Sequence, residues 1–428
     1  VTRSLPVPPR TFRARAPLAG IILLVSAVAM GCGDNGGEAA VTTEAEVAPA
    51  AVLAENLATV RPGNAAVQQA MNRAVAENGV PGMVAEVLEG HRSWFGRAGV
   101  ADTATGREQG PRERIRIGSA AKAFTATVVL QLEAAGEVDL DDKVEKWLPG
   151  LVRGNGNDGR EITIRHLLNH TSGIFNYGND AEIAKTGQAF FEHRFDSYTP
   201  GQLVEVGLRN PRYFAEPGDG FVYSNTGYIL AGLIIEKVSG NTLADEIRQR
   251  IVLPLHLEGT YLPGEEVEIR GPHPRHYSTL FVNEPAAQVY DVTEQNVSYG
   301  WAAGGMVSTV EDVTQFTRAL LQGRILPPAQ QREMFTMVRT VVKDPATGTE
   351  IEPWISGTTY GLGAWSWTLG CGREVWGIGG AISGAMTFSF GTRDGKLLVG
   401  LGMNTDQMTP DLTTVRSVLE AKLCPAGP

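Results

Sequence analysis

The chain has 428 residues, 43% of them hydrophobic, with 51 glycines and a formal net charge of -10. That length is ample for a packed core with more than one lobe. An acidic balance of this size excludes a non-specific nucleic-acid binder, which needs a basic face.

The first stretch reads as a leader. Arg3, Arg10, Arg13 and Arg15 form a basic region without acids, and an apolar run follows over residues 18–31. About fourteen apolar residues are too few for a stable bilayer-spanning helix but suit a signal-peptide core. The run ends Val28-Ala29-Met30-Gly31-Cys32. Small residues before a cysteine resemble a lipoprotein signal, cleaved ahead of Cys32 with lipid on its sulfur. Ordinary secretion with cleavage nearby is the alternative. Residues 32–56 are mainly Gly, Ala, Glu, Thr and Val without aromatics, the composition of a flexible tether.

Order is expected from residue 57. Val67, Ala70, Met71, Ala74 and Val75 have helical spacing over 65–78, and Gly79-Val80-Pro81-Gly82 stops that helix. Residues 83–88 and 94–98 read as a hairpin around Glu89-Gly90-His91. A short extended segment then ends at Gly118, and an Ala-rich helix begins. Helices are predicted over 164–169, 202–208, 227–238 and 244–250. Strands are predicted over 360–367, 375–376, 386–390 and 397–403, with Arg393-Asp394-Gly395-Lys396 as a tight turn. A closing helix over 409–423 starts with Pro410 in its first turn. The pattern predicts an α+β fold. N- and C-terminal segments (57–138 and 285–424) share an antiparallel sheet flanked by helices, a mainly helical lobe (139–284) is inserted, and 425–428 is a tail.

Chemistry centres on Ser119-Ala120-Ala121-Lys122. A serine at the first helical turn with a lysine three residues on puts hydroxyl and amine on one face. A serine needs a base to become a nucleophile. A buried lysine can be that base, because desolvation lowers its pKa. Taken alone, the pair reads first as an N-cap serine and a solvated lysine. Tyr223-Ser224-Asn225 adds a phenol and an amide about a hundred residues later. The phenol can relay a proton if a neighbouring lysine lowers its pKa.

Five segments in order are similar to the serine β-lactamase and DD-peptidase superfamily, in its class C-like branch. They are Arg116-Ile117-Gly118-Ser119 with Lys122, Leu167-Leu168-Asn169-His170-Thr171-Ser172-Gly173, Tyr223-Ser224-Asn225, Ala303-Gly304-Gly305-Met306-Val307-Ser308-Thr309 and Tyr360-Gly361-Leu362-Gly363. The chain most resembles exported D-alanyl-D-alanine carboxypeptidases. The resemblance implies an acyl-enzyme on Ser119, proton transfer by Lys122 and Tyr223, and an amide-binding Asn225. His170 is assigned to supporting the cleft loop. The third family element aligns with Gly377-Ile378-Gly379-Gly380-Ala381. Gly379 and Gly380 fit as substrate-strand glycines, and the N–H groups of Ser119 and Ala381 would form the oxyanion hole. Ile378 stands where a basic residue is expected. Trp365-Ser366-Trp367 occupies the place of an arginine that serves a substrate carboxylate in some carboxypeptidases. Both departures remove positive charge from the end of the cleft that would receive a C-terminal carboxylate. An esterase or β-lactamase acting on neutral acyl substrates, and a binding homologue without turnover, are the alternatives.

Tyr299, Trp301, Trp365 and Trp367 are candidates for an apolar pocket or for core packing; Tyr299 and Trp365 are assigned to substrate contact. The seven histidines have no metal-ligand spacing, and no cofactor is predicted. In an exported protein Cys371 and Cys424 read as a disulfide pair, with two free thiols as the alternative. The expected partners are a small-molecule or peptidoglycan-stem-peptide substrate and a membrane reached through lipid on Cys32. No nucleic acid is expected, and the protein is expected to be a monomer.

Overall fold

The computed structural model describes residues 64–424 except 283, 285, 344–348, 353 and 408–411. The leader, Cys32, the tether, residues 57–63, Pro410 and the tail lie outside the described residues. Helix α1 (Ala65–Asn78) buries Val67, Ala70, Met71 and Ala74 and ends at Gly79, whose φ of 65° gives the left-handed cap. β1 (Gly82–Glu89) and β2 (Arg92–Gly99) form the predicted hairpin, in register from Gly82 with Gly99 to Glu89 with Arg92. A 3₁₀ turn over Gly118–Ala120 leads into α2 (Ala121–Ala134), and α3 (Asn225–Ser239) follows Tyr223-Ser224. Next come α4 (Val310–Leu321) and the strand series β3 (Val338–Arg339), β4 (Thr358–Tyr360), β5 (Trp365–Thr368), β6 (Glu374–Ile382), β7 (Ala385–Gly391) and β8 (Leu397–Met403). α5 (Thr413–Leu423) closes the described chain.

These eight strands make one antiparallel sheet in the order β2-β1-β8-β7-β6-β5-β4-β3. The N- and C-terminal segments meet where β1 pairs with β8, Met83 opposite Met403 and Glu89 opposite Leu397. The fold is the mixed antiparallel-sheet-and-helix architecture expected from the sequence.

Local differences have physical causes. Residues 360–367 are not one strand: the Gly361 N–H donates to the Ala364 carbonyl at 2.8 Å, and Gly363 turns back at φ 79°. β6 runs well beyond 375–376, because pairing to β7 on one side overrides the poor strand propensity of its glycines. The helix predicted over 244–250 stops at Ile247 and continues as a π-helical turn over Arg248–Val252. α4 was not among the predicted elements. Its signals are local nonetheless: Thr309 accepts the Asp312 N–H at 3.0 Å as an N-cap, and Val313, Phe316 and Leu320 share its buried face.

β8 shows how the sheet sorts its faces. Val399, Leu401 and Met403 pack with α1 and α5, while Leu398 belongs to the core on the opposite face with Phe124 and Phe316. Between them Gly400 lets α4 lie flush, since a Cβ there would stand 1.9 Å from Thr314 Oγ1. The Phe124 and Phe316 rings stack at 3.8 Å and tie α2 to α4. Cys371, after β5, is joined to Cys424 at the end of α5 by a disulfide with Cα atoms 6.0 Å apart.

The Gly400–Thr314 approach yields a test. Gly400→Ala should lower stability by about 1–3 kcal/mol through overpacking, and Gly400→Ala with Thr314→Ala should recover part of that loss. Denaturant titration of the three proteins checks this; additive losses in the double variant would mean the two side chains do not meet.

Candidate active site

The nucleophile's position is set by close backbone packing. Gly118 takes φ 50°, and a Cβ on it would stand 2.4 Å from the Ala381 carbonyl oxygen. A Cβ on Gly380 would stand 2.4 Å from the backbone nitrogens of both Ser119 and Ala120. Glycine is therefore required on both sides of this contact. It brings the backbone of Ser119 against β6 at Gly380 and Ala381. β5 pairs with β6 up to Gly377 opposite Trp365, so residues 378–382 run past its end beside Ser119.

α2 is buried along nearly its whole length, and Lys122 is buried completely. Its Nζ lies 2.7 Å from Asn225 Oδ1, 2.6 Å from the Ala303 carbonyl oxygen and 3.1 Å from Ser119 Oγ. None of these partners carries negative charge. Burial accordingly pushes the Lys122 amine well below its ordinary value. A neutral amine has two N–H groups and one lone pair. The two carbonyl-type oxygens can only accept, so they take the two N–H groups. In that neutral form the lone pair would face Ser119 Oγ, 3.1 Å away, to accept its proton.

Tyr223 closes the other side, its O–H 2.7 Å from Ser119 Oγ. An extended chain alternates its side chains. Ser224 is extended (φ -140°, ψ 117°) and buried, with its N–H donating to His170 Nδ1 at 3.2 Å. Tyr223 thus reaches Ser119, and Asn225 reaches Lys122. The conditional reading in which a lysine lowers the phenol's pKa is corrected here. Lys122 Nζ stands 4.8 Å over the ring, and burial raises the phenol above its ordinary value. Tyr223 remains a protonated donor to Ser119.

His170 lies beneath this loop. It is fully buried, its ring sits 4.3 Å from that of Tyr223, and its carbonyl accepts the Val222 N–H at 3.0 Å. Burial holds its imidazole well below the usual value, hence neutral. It touches Tyr223 from behind and supports the loop, as the sequence reading assigned.

Ser119 opens into a cavity of about 290 Å³ that Tyr223, Asn225, Gly379, Gly380, Ala381 and Trp365 also line. A further space of about 180 Å³ on the Tyr299 side shares Ser119, Asn225 and Ala381. Trp365 serves both readings, since it lines the cavity and also packs edge-on to Phe390 at 4.5 Å. Tyr299 faces the second space, its hydroxyl pushed up to about 12 by burial. Trp301 and Trp367 line neither space. Ile378 is 1% exposed, packs in the helical-side core and does not line either space.

Several contributors escaped sequence reading. Trp354 stacks on Tyr223 with centroids 5.8 Å apart and meets Trp365 edge-on at 4.9 Å. Asn176 accepts the Asn225 N–H at 3.1 Å. Ala303 supplies a carbonyl to Lys122. Asp406 lines the cavity with Phe281 and Phe388. Trp354 and Asp406 have no local motif around them. Ala303 lies in a segment that was noted, but its role is a backbone one and leaves no mark in residue type.

A larger hollow of about 320 Å³ is lined by Asp102, Arg107, His273 and Arg275 and holds none of these groups.

The chain is 43% identical, at a TM-score of 0.75, to a D-stereospecific amidohydrolase from Streptomyces sp., covering 86% of this chain and 100% of that one. It is 28% identical, at a TM-score of 0.71, to the D-amino acid amidase of Ochrobactrum anthropi SV3 complexed with L-phenylalanine amide, covering 84% and 98%. It is also 31% identical over 231 residues to penicillin-binding protein 4 of Amycolatopsis lactamdurans, covering 54% of this chain and 56% of that protein. The chain spans about half the length of the curated relatives it matches. The β-lactamase family model matches residues 65–421, a span holding the serine turn, the buried amine and the phenol, and the chain belongs to that family of serine hydrolases.

Proposed function

We propose that the protein is a serine amidohydrolase that forms an acyl-enzyme on Ser119 and cleaves D-aminoacyl amides or esters with neutral leaving groups. The observation that carries this reading is the polarity of the cleft. No Lys, Arg or His lines either space around Ser119 among the described residues, and the one amine at the site, Lys122, is buried, with its pKa pushed well below the ordinary value by that burial. A free C-terminal carboxylate would find no cation there. A carbonyl with an uncharged leaving group needs none. Similarity to a D-stereospecific amidohydrolase and a D-amino acid amidase supports the D configuration.

The geometry supports the following sequence. Ser119 Oγ attacks the carbonyl carbon while its proton passes to the Lys122 lone pair. The oxyanion sits between the Ser119 and Ala381 N–H groups. Tyr223, 2.7 Å from Oγ, gives its proton to the leaving nitrogen, and the Lys122 ammonium restores the phenol. Water then attacks the ester with Tyr223 and Lys122 acting in reverse, releasing the acid and free Ser119. Asn225, held by Asn176, presents its amide to Lys122 and to the cleft.

A D-alanyl-D-alanine carboxypeptidase with penicillin binding shares every step and is the second reading, favoured by the similarity to penicillin-binding protein 4. The two readings part on the leaving group. An aromatic D-amino acid amide should exceed the matching D-aminoacyl-D-alanine in kcat/KM by about tenfold or more, equivalent to about 1.4 kcal/mol, and mass spectrometry should find acylation in wild type and none in Ser119→Ala. The reverse preference would establish the carboxypeptidase reading.

Export with lipid on Cys32 is part of this proposal. It is supported by the basic-then-apolar leader and by the Cys371–Cys424 disulfide, a bond that persists in oxidising compartments. Expressed in a bacterium that processes lipoproteins, the full chain should fractionate with membranes and take up labelled fatty acid. Cys32→Ser should lose the label; label retained in that variant would refute the anchor.

A further inference from the structure

Asp406 is the one charged side chain among the described residues that line the spaces around Ser119. It lies three residues past the end of β8, on a segment fixed from two directions. The Tyr277 N–H donates to the Asn404 carbonyl at 2.9 Å, and Tyr277 and Thr405 form a parallel bridge. The carboxylate itself accepts from Ser278 Oγ at 2.8 Å and from the backbone of Gly384. Gly384 is three residues beyond Ala381, so Asp406 is held at a fixed reach from the proposed oxyanion hole. No cation pairs with it among the described residues. Its other neighbours in the cavity are mostly apolar: Trp354, Trp365, Phe388 and Phe281.

A carboxylate held against an apolar cleft without a counter-charge is costly unless a ligand supplies one. The mechanism above leaves Asp406 without a role. Its acceptors are bound by neutral donors that orient it but do not neutralise it.

We propose that Asp406 recognises the protonated α-amino group of the substrate, so that the enzyme takes D-amino acid amides with a free amino group in preference to N-acylated ones. This rests on the amidohydrolase reading of the same site. The aromatic wall takes the side chain, Ser119 and Ala381 take the carbonyl, and Asp406 takes the ammonium. Three such points on one tetrahedral carbon are what a stereospecific site requires. Burial pushes the Asp406 carboxyl up to about 6, so it is largely ionised near neutral pH, where the ammonium is also charged.

The test uses D-phenylalanine amide and N-acetyl-D-phenylalanine amide with wild type and Asp406→Asn, which keeps the side chain's size and one acceptor oxygen while removing its charge. Loss of one charge-assisted contact should lower kcat/KM on the free amine by about 10–100-fold, mainly through KM, and change the N-acetyl substrate by less than about threefold. Equal losses on both substrates, or no loss on the free amine, would overturn the proposal. Should wild type hydrolyse neither compound, the amidohydrolase reading fails, and calorimetric binding to Ser119→Ala decides the recognition claim separately. Tighter binding of the free amine, abolished in Ser119→Ala with Asp406→Asn, supports it; equal or absent binding overturns it.

Discussion

A lysine amine enclosed without a negative partner is the constraint on which this structure turns. Lys122 is fully buried, and all three of its hydrogen-bond partners are neutral. Charged, it would be an uncompensated cation in the core. Neutral, it has just enough donors for Asn225 and Ala303, with a lone pair left for Ser119. The stability problem and the catalytic solution are the same fact. Each partner comes from a different part of the chain, so forming the site and closing the core on α2 are one event.

The rest of the fold keeps that enclosure fixed. α4 lies against the sheet because Gly400 removes the side chain that would hold it off, and its Phe316 stacks on Phe124 of α2. On the other side β6 meets the nucleophile's turn backbone to backbone, at Gly118 and Gly380. Trp354, Tyr360 and His170 pack around Tyr223 and its loop. Burial raises the pKa of Tyr223 as it lowers that of Lys122, so the hydrophobic surroundings push acid and base toward the uncharged forms from which each can act.

What was legible in the sequence was what local chemistry writes there. The Ser119–Lys122 spacing, Tyr223-Ser224-Asn225, α1, the β1–β2 hairpin and β8 depend on periodicity or on side chains with few other uses. β6 was read too short because its glycines, which the site needs for close approach, are the residues that argue against a strand. Ile378 was read as a gap in the cleft's charge, and its side chain packs in the core instead. The absence of positive charge is real, but the only charge facing the cavity among the described residues is the opposite one, Asp406. Nothing around Met403-Asn404-Thr405-Asp406 marks that carboxylate as a cleft residue. Its position follows from the pairing of β8 and the bridge to Tyr277, which are tertiary facts.

The central claim is that Lys122 is a neutral amine in the resting enzyme. The most direct measurement is the carbon-13 chemical shift of lysine Cε in uniformly lysine-labelled protein, followed from pH 6 upward, with Lys122→Arg for assignment. The account predicts that one resonance, absent from Lys122→Arg, sits at the neutral-amine position at pH 7 while the other lysines remain protonated. A Lys122 resonance that titrates with the surface lysines near the ordinary value of about 10.4 would contradict it.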